Sequence, residues 1–105
     1  MALAVEIGGF GICQAPSPHS IFVVCVQQES YQAWTVYRKF SSFPALSEQV
    51  QTLYPGTVQI PKIDGELLNI DNLDTCRAVL DRWLKTIISN PMILRTQSMY
   101  QVILE

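Results

Sequence analysis

Three segments near the start of the chain have the apolar and β-branched character of strands. They lie at about residues 3–13, 21–27 and 32–40, and residues 28–31 are a plausible hairpin connection. Gly8, Gly9 and Gly11 predict a bulge or a twist in the first segment. The pattern therefore predicts three antiparallel strands.

The hydrophobic period becomes helical after residue 41. Ser42 is a candidate N-cap, and Pro44 falls in the first turn of a helix that ends near residues 54–56. The predicted buried face of this helix consists of Phe43, Leu46, Val50 and Leu53. The segment that follows, residues 57–72, is too apolar for an ordinary solvated connection.

The strongest helical stripe covers residues 73–88. Its apolar positions are Leu73, Cys76, Leu80, Trp83, Leu84, Ile87 and Ile88. A last short helix is predicted with Ser98 as its cap and with Met99, Val102 and Ile103 packed behind it. The order predicts an α+β fold, a three-stranded antiparallel β-meander followed by three helices.

Composition bounds the architecture and the partners. The chain has 105 residues, of which 49% are hydrophobic and 15% charged, so we expect a single domain over residues 1–105, excised from a larger protein. The net charge of −2 argues against nucleic acid as a partner. The longest apolar run, residues 21–26, is too short to span a bilayer, and the N-terminus lacks the pattern of a secretory signal. We therefore expect a cytoplasmic protein.

Residues that could carry chemistry are sparse. Cys13, Cys25 and Cys76 are odd in number and unequally spaced, so we expect free thiols rather than a disulfide framework or a metal site. No glycine-rich phosphate loop opens a helix, and no His/Cys/acid constellation is present. The sequence therefore predicts a protein that is not an enzyme and has no cofactor or metal.

Residues 34–46, WTVYRKFSSFPAL, resemble the signature of the Phox homology (PX) domain, in which a strand ends in a basic-basic-aromatic triplet before the first helix. Residues 60–62 (IPK) are similar to the start of that family's proline-containing membrane loop. Further similarities are found in the long helix, at Leu80, Trp83, Leu84 and Ile87, and in residues 90–91 and 98–104. The resemblance covers nearly the whole chain and has the same order of elements.

The resemblance implies a module that binds phosphoinositide headgroups, most often phosphatidylinositol 3-phosphate, and that recruits its parent protein to endosomal membranes. Lys39 stands where the family has the cation that binds the 3-phosphate, Phe40 where it has the ring-packing aromatic, and Lys62 where it has a loop lysine near the 1-phosphate. These residue types suit the ligand, because a phosphomonoester needs charge-assisted donors and an inositol ring rests on an aromatic face. A purely core role is the alternative for Phe40.

Two arginines complete the candidate basic set. Arg38 directly precedes Lys39, but a regular strand alternates its side chains, so we expect the two to face different sides unless a bulge intervenes. The family's second arginine, a ligand of the ring hydroxyls, is matched here by Cys76, with Arg77 one residue later. Arg77 is a candidate ligand, or it forms an exposed salt pair with the carboxylates at positions 74 and 81.

Four apolar residues precede the long helix: Ile63, Leu67, Leu68 and Ile70. They are candidates for insertion between lipid headgroups, for packing onto the core or for an early helix start. Carboxylates at positions 64, 66, 71 and 74 would repel an anionic bilayer. The alternative function is therefore a protein–protein interaction module on the same fold, with residues 63–70 as its contact loop and with little or no lipid binding.

Overall fold

The computed structural model describes residues 3–28, 32–61 and 69–103. Within these ranges, strands β1 (Leu3–Cys13), β2 (His19–Gln28) and β3 (Gln32–Lys39) are followed by helices α1 (Ser42–Leu53), α2 (Ile70–Ile88), α3 (Pro91–Leu94) and α4 (Gln97–Ile103). Three strands precede the helices, so the predicted α+β fold is confirmed. The difference from prediction is α3, a four-residue helix between the long helix and the last one.

The strands form an antiparallel sheet in the order β1-β2-β3, with β2 at the centre. The register between β1 and β2 shifts between Ile7 and Gly9, which confirms the irregularity predicted from the glycines. The register between β2 and β3 is continuous from the pair Ile21–Lys39 to the hairpin end. β3 therefore alternates its side chains regularly up to its last residue.

One face of the sheet forms the core with the helices. The inward residues of β2 include Phe22, Val24 and Val26, and all three are buried. Phe22 meets Phe43 of α1 edge to face, with ring centroids 5.9 Å apart and ring planes at 87°. Aromatic quadrupoles favour this geometry, which joins the central strand to the first helix.

The predicted stripe of α2 lies in the core. Its buried residues are Leu73, Cys76, Leu80, Trp83, Leu84 and Ile87, and Ile88 is half-buried. The helix begins at Ile70 because the Asn69 side chain accepts hydrogen bonds from the main-chain N–H groups of Asp71 and Asn72. Of the alternatives considered for Ile70, which were membrane insertion, packing onto the core and an early helix start, the structure shows the early helix start.

Two details of α1 differ from prediction. Ser41 rather than Ser42 is the N-cap residue, and its side chain makes no capping hydrogen bond. Leu53 is 57% exposed, so its predicted burial is wrong. It is the last residue of the helix and, at about 100° per residue, it lies toward the edge of the buried face. The remaining predicted positions, Phe43, Leu46 and Val50, are buried.

The C-terminal region contains two short helices. The Asn90 side chain caps α3 by accepting the Met92 N–H at 2.9 Å. The hydroxyl of Thr96 accepts the Met99 N–H at 3.2 Å, so the predicted cap at Ser98 is wrong and α4 begins one residue before it. The predicted apolar positions of α4 are buried: Met99, Val102 and Ile103.

Candidate functional site

The end of β3 directs two neighbouring basic side chains to different faces of the sheet. Arg38 is half-buried on the face that packs against the helices, and Lys39 is exposed on the other face. The register with β2 is unbroken here, so the alternation predicted from regular strand geometry is confirmed. The two side chains therefore contact different parts of the molecule, Arg38 the helical side and Lys39 the solvent.

Arg38 contacts the C-terminal end of α4. Its Nε donates to the Val102 carbonyl at 2.7 Å, and its Nη2 donates to the Gln101 carbonyl at 3.2 Å. Its Nη1 donates to the Tyr37 carbonyl at 2.9 Å. A guanidinium is favourable at this position, because the last carbonyls of a helix carry the negative end of its dipole. All three nitrogen atoms of the group are thus engaged with main-chain oxygens.

The Lys39 side chain has no comparable hydrogen bonds to main-chain oxygens of the described residues. Within the described ranges the ion pairs of basic side chains involve Arg77 and Lys85, and the Lys39 ammonium makes no hydrogen bond to another described residue. The side chain is exposed at the last position of β3, opposite Ile21. An ammonium has three donors, so it can bind a phosphate, although it lacks the planar fork of an arginine.

Phe40 lies where the chain turns from β3 into α1. Its carbonyl accepts the N–H of Phe43 at 3.0 Å, and its half-buried ring packs against the core. Phe40 follows Lys39 directly in the chain, at the point where the strand ends. A cation and an aromatic ring are the residue types that suit a ligand with a phosphate and with C–H groups on a ring.

The segment that leads toward Lys62, residues 57–61, is tied to both long helices by its main chain. The Ile60 N–H donates to Ser47 Oγ at 3.3 Å, and the Trp83 indole donates to the Val58 carbonyl at 3.0 Å. The Gln51 side chain donates to a third main-chain group of the same segment. These contacts fix the start of the loop against α1 and α2.

Of the apolar residues predicted to insert into a membrane or to contact a partner, the structure describes Ile70. Its side chain is 66% exposed at the first position of α2, directly before the exposed Asp71. The other members of this set, Ile63, Leu67 and Leu68, lie outside the described residues, as does Lys62.

Arg77 lies on the side of α2 that contacts the edge strand β1. Its Nη1 donates to the Ile7 carbonyl at 3.1 Å, and its Nε donates to Asp74 Oδ1 at 3.3 Å. Asp81 accepts the Ile7 N–H at 2.9 Å and the Lys85 ammonium at 2.9 Å. Both main-chain groups of Ile7, next to the bulge, are therefore bonded by α2. The salt pair of Arg77 forms with Asp74, whereas Asp81 pairs with Lys85.

Two groups near this network have shifted pKa values. Cys76, at the position matched to the family's second arginine, is fully buried, and desolvation raises the pKa of its thiol to about 11. The pKa of Lys85 is raised, chiefly because its ammonium donates a hydrogen bond to Asp81 and is attracted by Asp81 and Glu6. Cys76 is therefore a neutral core residue, and Lys85 is a cation that carboxylates already engage.

The side chains that anchor the site were missed by reading the sequence. The pattern of α1 could have indicated a structural role for Ser47, because it is a polar residue on the buried face of that helix. Trp34 and Trp83 could have been recognised as hydrogen-bond donors, because a buried indole N–H needs an acceptor. Each indole donates to a main-chain carbonyl, Trp34 to that of Ile103 at 2.8 Å.

The described ranges contain neither a metal site nor a membrane-spanning helix. No group of His, Cys, Asp and Glu side chains among the described residues is arranged to hold a metal ion. No described helix combines the length and the apolarity needed to cross a membrane.

Comparisons with known proteins agree with one another. The family model of the PX domain matches residues 26–105. The X-ray structure of a designed CISK-PX domain has a TM-score of 0.83 at 21% identity, and the match covers 97% of this chain and 99% of that chain. The crystal structure of the mouse SNX19 PX domain has a TM-score of 0.70 at 16% identity, with 97% and 96% covered. The same mouse domain with a bound sulphate ion has a TM-score of 0.68 at 16% identity, with 96% and 95% covered.

Among curated proteins, none matches this chain. The family model nevertheless covers well over half of the residues, and the matched structures have the same fold. The chain belongs to the PX domain family, whose members are in general phosphoinositide-binding modules that target proteins to membranes.

Proposed function

We propose that this PX domain binds the headgroup of phosphatidylinositol 3-phosphate and recruits the larger protein of which it is one module to endosomal membranes. The observation that carries the proposal is the exposed ammonium of Lys39, which has no ion pair among the described residues and directly precedes the half-buried ring of Phe40. No catalytic step is part of this function.

In this proposal Lys39 donates hydrogen bonds to the 3-phosphate, and the inositol ring lies on Phe40. Lys62, next to the anchored segment 57–61, binds the 1-phosphate. Charge-assisted bonds of this kind are shorter and stronger than neutral ones, so a few of them suffice to hold a headgroup.

The supply of basic groups supports a headgroup with a single phosphomonoester. The chain has seven Lys and Arg residues. Three of these, Arg38, Arg77 and Lys85, are engaged with main-chain carbonyls or carboxylates. Of the four that remain, the family resemblance assigns two to the headgroup, Lys39 to the 3-phosphate and Lys62 to the 1-phosphate. A second phosphomonoester would need donors of its own beyond these two.

Co-sedimentation with phosphatidylcholine vesicles that contain one phosphoinositide at a time tests the proposal. We expect binding to vesicles with phosphatidylinositol 3-phosphate, and a loss of about tenfold or more in affinity for Lys39→Ala. Lys39→Arg retains binding, because a guanidinium can hold the phosphate with two parallel bonds.

Arg82→Ala is the matched control, since it changes the net charge by the same amount on the exposed side of α2. It should bind like the wild type. Wild-type binding to no phosphoinositide above plain anionic vesicles would overturn the proposal, as would equal losses for the Lys39 and Arg82 variants. Soluble inositol 1,3-bisphosphate as a competitor separates headgroup recognition from attraction to the bilayer.

A protein–protein contact through the start of α2 is the second candidate function. The observation that favours it is Ile70, 66% exposed beside the carboxylate of Asp71, because an acidic surface gains little from an anionic bilayer. If this surface binds a second copy, sedimentation velocity at rising concentration detects a dimer that Ile70→Asp abolishes. Met92→Asp, at an exposed apolar residue of α3, is its control. A monomer at all concentrations excludes self-association through Ile70.

A further inference from the structure

Two side chains of β3 hold the last turn of α4 by its main chain. Arg38 donates to the carbonyls of Gln101 and Val102 at 3.2 and 2.7 Å, and the Trp34 indole donates to the Ile103 carbonyl at 2.8 Å. Three consecutive carbonyls thus receive donors from one strand. We call Arg38 and Trp34 the α4 latch.

The order of the last turn of α4 depends on these donors. The helix has seven residues, a length at which an isolated helix is not stable in water. The last carbonyls of a helix also lack partners within it and need donors from elsewhere. The side of α4 that packs on the core, with Met99 and Val102, supplies burial, and the latch supplies the hydrogen bonds.

The strand that carries the latch also carries the candidate headgroup cation. Lys39 follows Arg38 directly, and α1 begins three residues after Lys39. The Ser98 hydroxyl of α4 donates in turn to the Gln49 side chain of α1. The end of β3, the start of α1 and α4 therefore form one connected unit, in which a shift of the strand end moves both Lys39 and the latch.

We propose that Arg38 and Trp34 are positioning residues that couple headgroup binding at Lys39 to the order of the last turn of α4. The inference rests on the proposed function, since it requires a ligand at Lys39. Because such coupling is reciprocal, a headgroup that fixes the end of β3 stabilises α4, and an intact latch strengthens headgroup binding by the same factor.

Two charge-conserving variants test the latch. Arg38→Lys keeps the positive charge and loses the fork that spans two carbonyls, and Trp34→Phe keeps a ring and loses the indole N–H. We expect both to speed hydrogen exchange of the α4 amides without ligand, and to weaken binding to phosphatidylinositol 3-phosphate vesicles by about fivefold. The dependence of affinity on salt should stay that of the wild type, because no ion pair with the lipid is lost.

Inositol 1,3-bisphosphate should slow exchange of the α4 amides in the wild type and leave them unchanged in Lys39→Ala. Trp83→Phe is the matched control for exchange, since it removes an indole hydrogen bond that goes to the Val58 carbonyl and not to a carbonyl of α4. It should leave α4 exchange at the wild-type rate, and faster α4 exchange in this variant would contradict a local latch.

The outcomes separate the latch from the function it rests on. If the wild type binds vesicles but Arg38→Lys and Trp34→Phe match it in affinity and in α4 exchange, the coupling is wrong and the proposed function stands. A flatter salt dependence for Arg38→Gln, which removes the positive charge, would make Arg38 a ligand and overturn its positioning role. A wild type that binds no headgroup overturns the proposed function and the coupling together, whereas exchange without ligand still decides whether the latch holds α4.

Discussion

Arg38 and Arg77 direct their guanidinium groups at main-chain carbonyl oxygens, Arg38 at the end of α4 and Arg77 at Ile7 of β1. A guanidinium stays charged at any relevant pH and offers donors in a fixed plane, so it is well suited to oxygens that would otherwise lack a partner. Lys39 has no comparable acceptor among the described residues. At the scale of the residue, the local acceptors therefore decide which cation stays available to a ligand.

Cys76 gives a prediction at the same scale. Burial raises the pKa of its thiol from 9.0 to about 11, so the unfolded chain loses this proton at a lower pH than the folded chain. The contribution of Cys76 to stability is thus complete below pH 9.0 and decreases as the pH rises from there toward 11. The free energy of unfolding of the wild type should fall, relative to that of Cys76→Val, between about pH 8.5 and 10.5 in urea titrations.

Alkylation provides an independent check on the same thiol. The nucleophile is the thiolate, so iodoacetamide should modify the half-buried Cys13 and Cys25 well before the buried Cys76 in the folded chain. Peptide mapping by mass spectrometry measures the order. Modification of Cys76 as fast as the other two thiols would contradict its burial.

At the scale of the element, α2 protects the edge strand of the sheet. An edge strand has main-chain groups without a strand partner, and Ile7 lies next to the register shift of β1. Arg77 and Asp81 bond its carbonyl and its N–H at 3.1 and 2.9 Å. The same helix therefore supplies apolar burial on one side and a polar cover for the sheet edge on another.

The strands and the stripe of α2 were predictable because periods of two and 3.6 residues reflect burial on one face. Helix caps were less predictable, because the N-cap residue can lie one or two positions from the expected serine, as Ser41 and Thr96 do. Of these two, Thr96 makes a capping hydrogen bond and Ser41 does not. The contact of Arg77 with Ile7 spans 70 positions, so no local pattern encodes it. At the site, the resemblance pointed to Lys39 and Phe40. The hydrogen-bond partners of Ser47 and Trp34, by contrast, emerge only from the packing of distant segments.

Removal of the Asp81 carboxylate tests the edge cover. Asp81→Ala leaves the Ile7 N–H without its acceptor, so we expect a loss of about 1–3 kcal/mol in the free energy of unfolding, measured with urea. Asp74→Ala is the control, because Asp74 is 67% exposed and forms a surface pair whose loss costs about 0–1 kcal/mol. Equal losses for the two variants would show that Asp81 acts only as a surface charge.

At the scale of the whole molecule, the charge balance separates specific from general attraction to a membrane. The net charge is −2, and three of the seven basic residues are engaged within the fold. An anionic leaflet attracts each basic residue near its surface with about 1 kcal/mol and repels acidic residues such as Asp71 and Asp74. Among the described residues, Lys39 is therefore a local cation on a surface that gains little from bulk negative lipid.

This balance makes membrane binding depend on the headgroup rather than on the charge of the bilayer. At a fixed fraction of phosphatidylinositol 3-phosphate, a rising fraction of phosphatidylserine in the vesicles should leave the affinity within about twofold or lower it. Lys39→Ala should stay weak at every phosphatidylserine fraction, because general attraction cannot replace the lost contact. A steep rise in affinity with phosphatidylserine, in the wild type and in Lys39→Ala alike, would instead indicate a basic membrane-facing surface and contradict recognition through Lys39. Co-sedimentation across the vesicle series measures both chains under identical conditions.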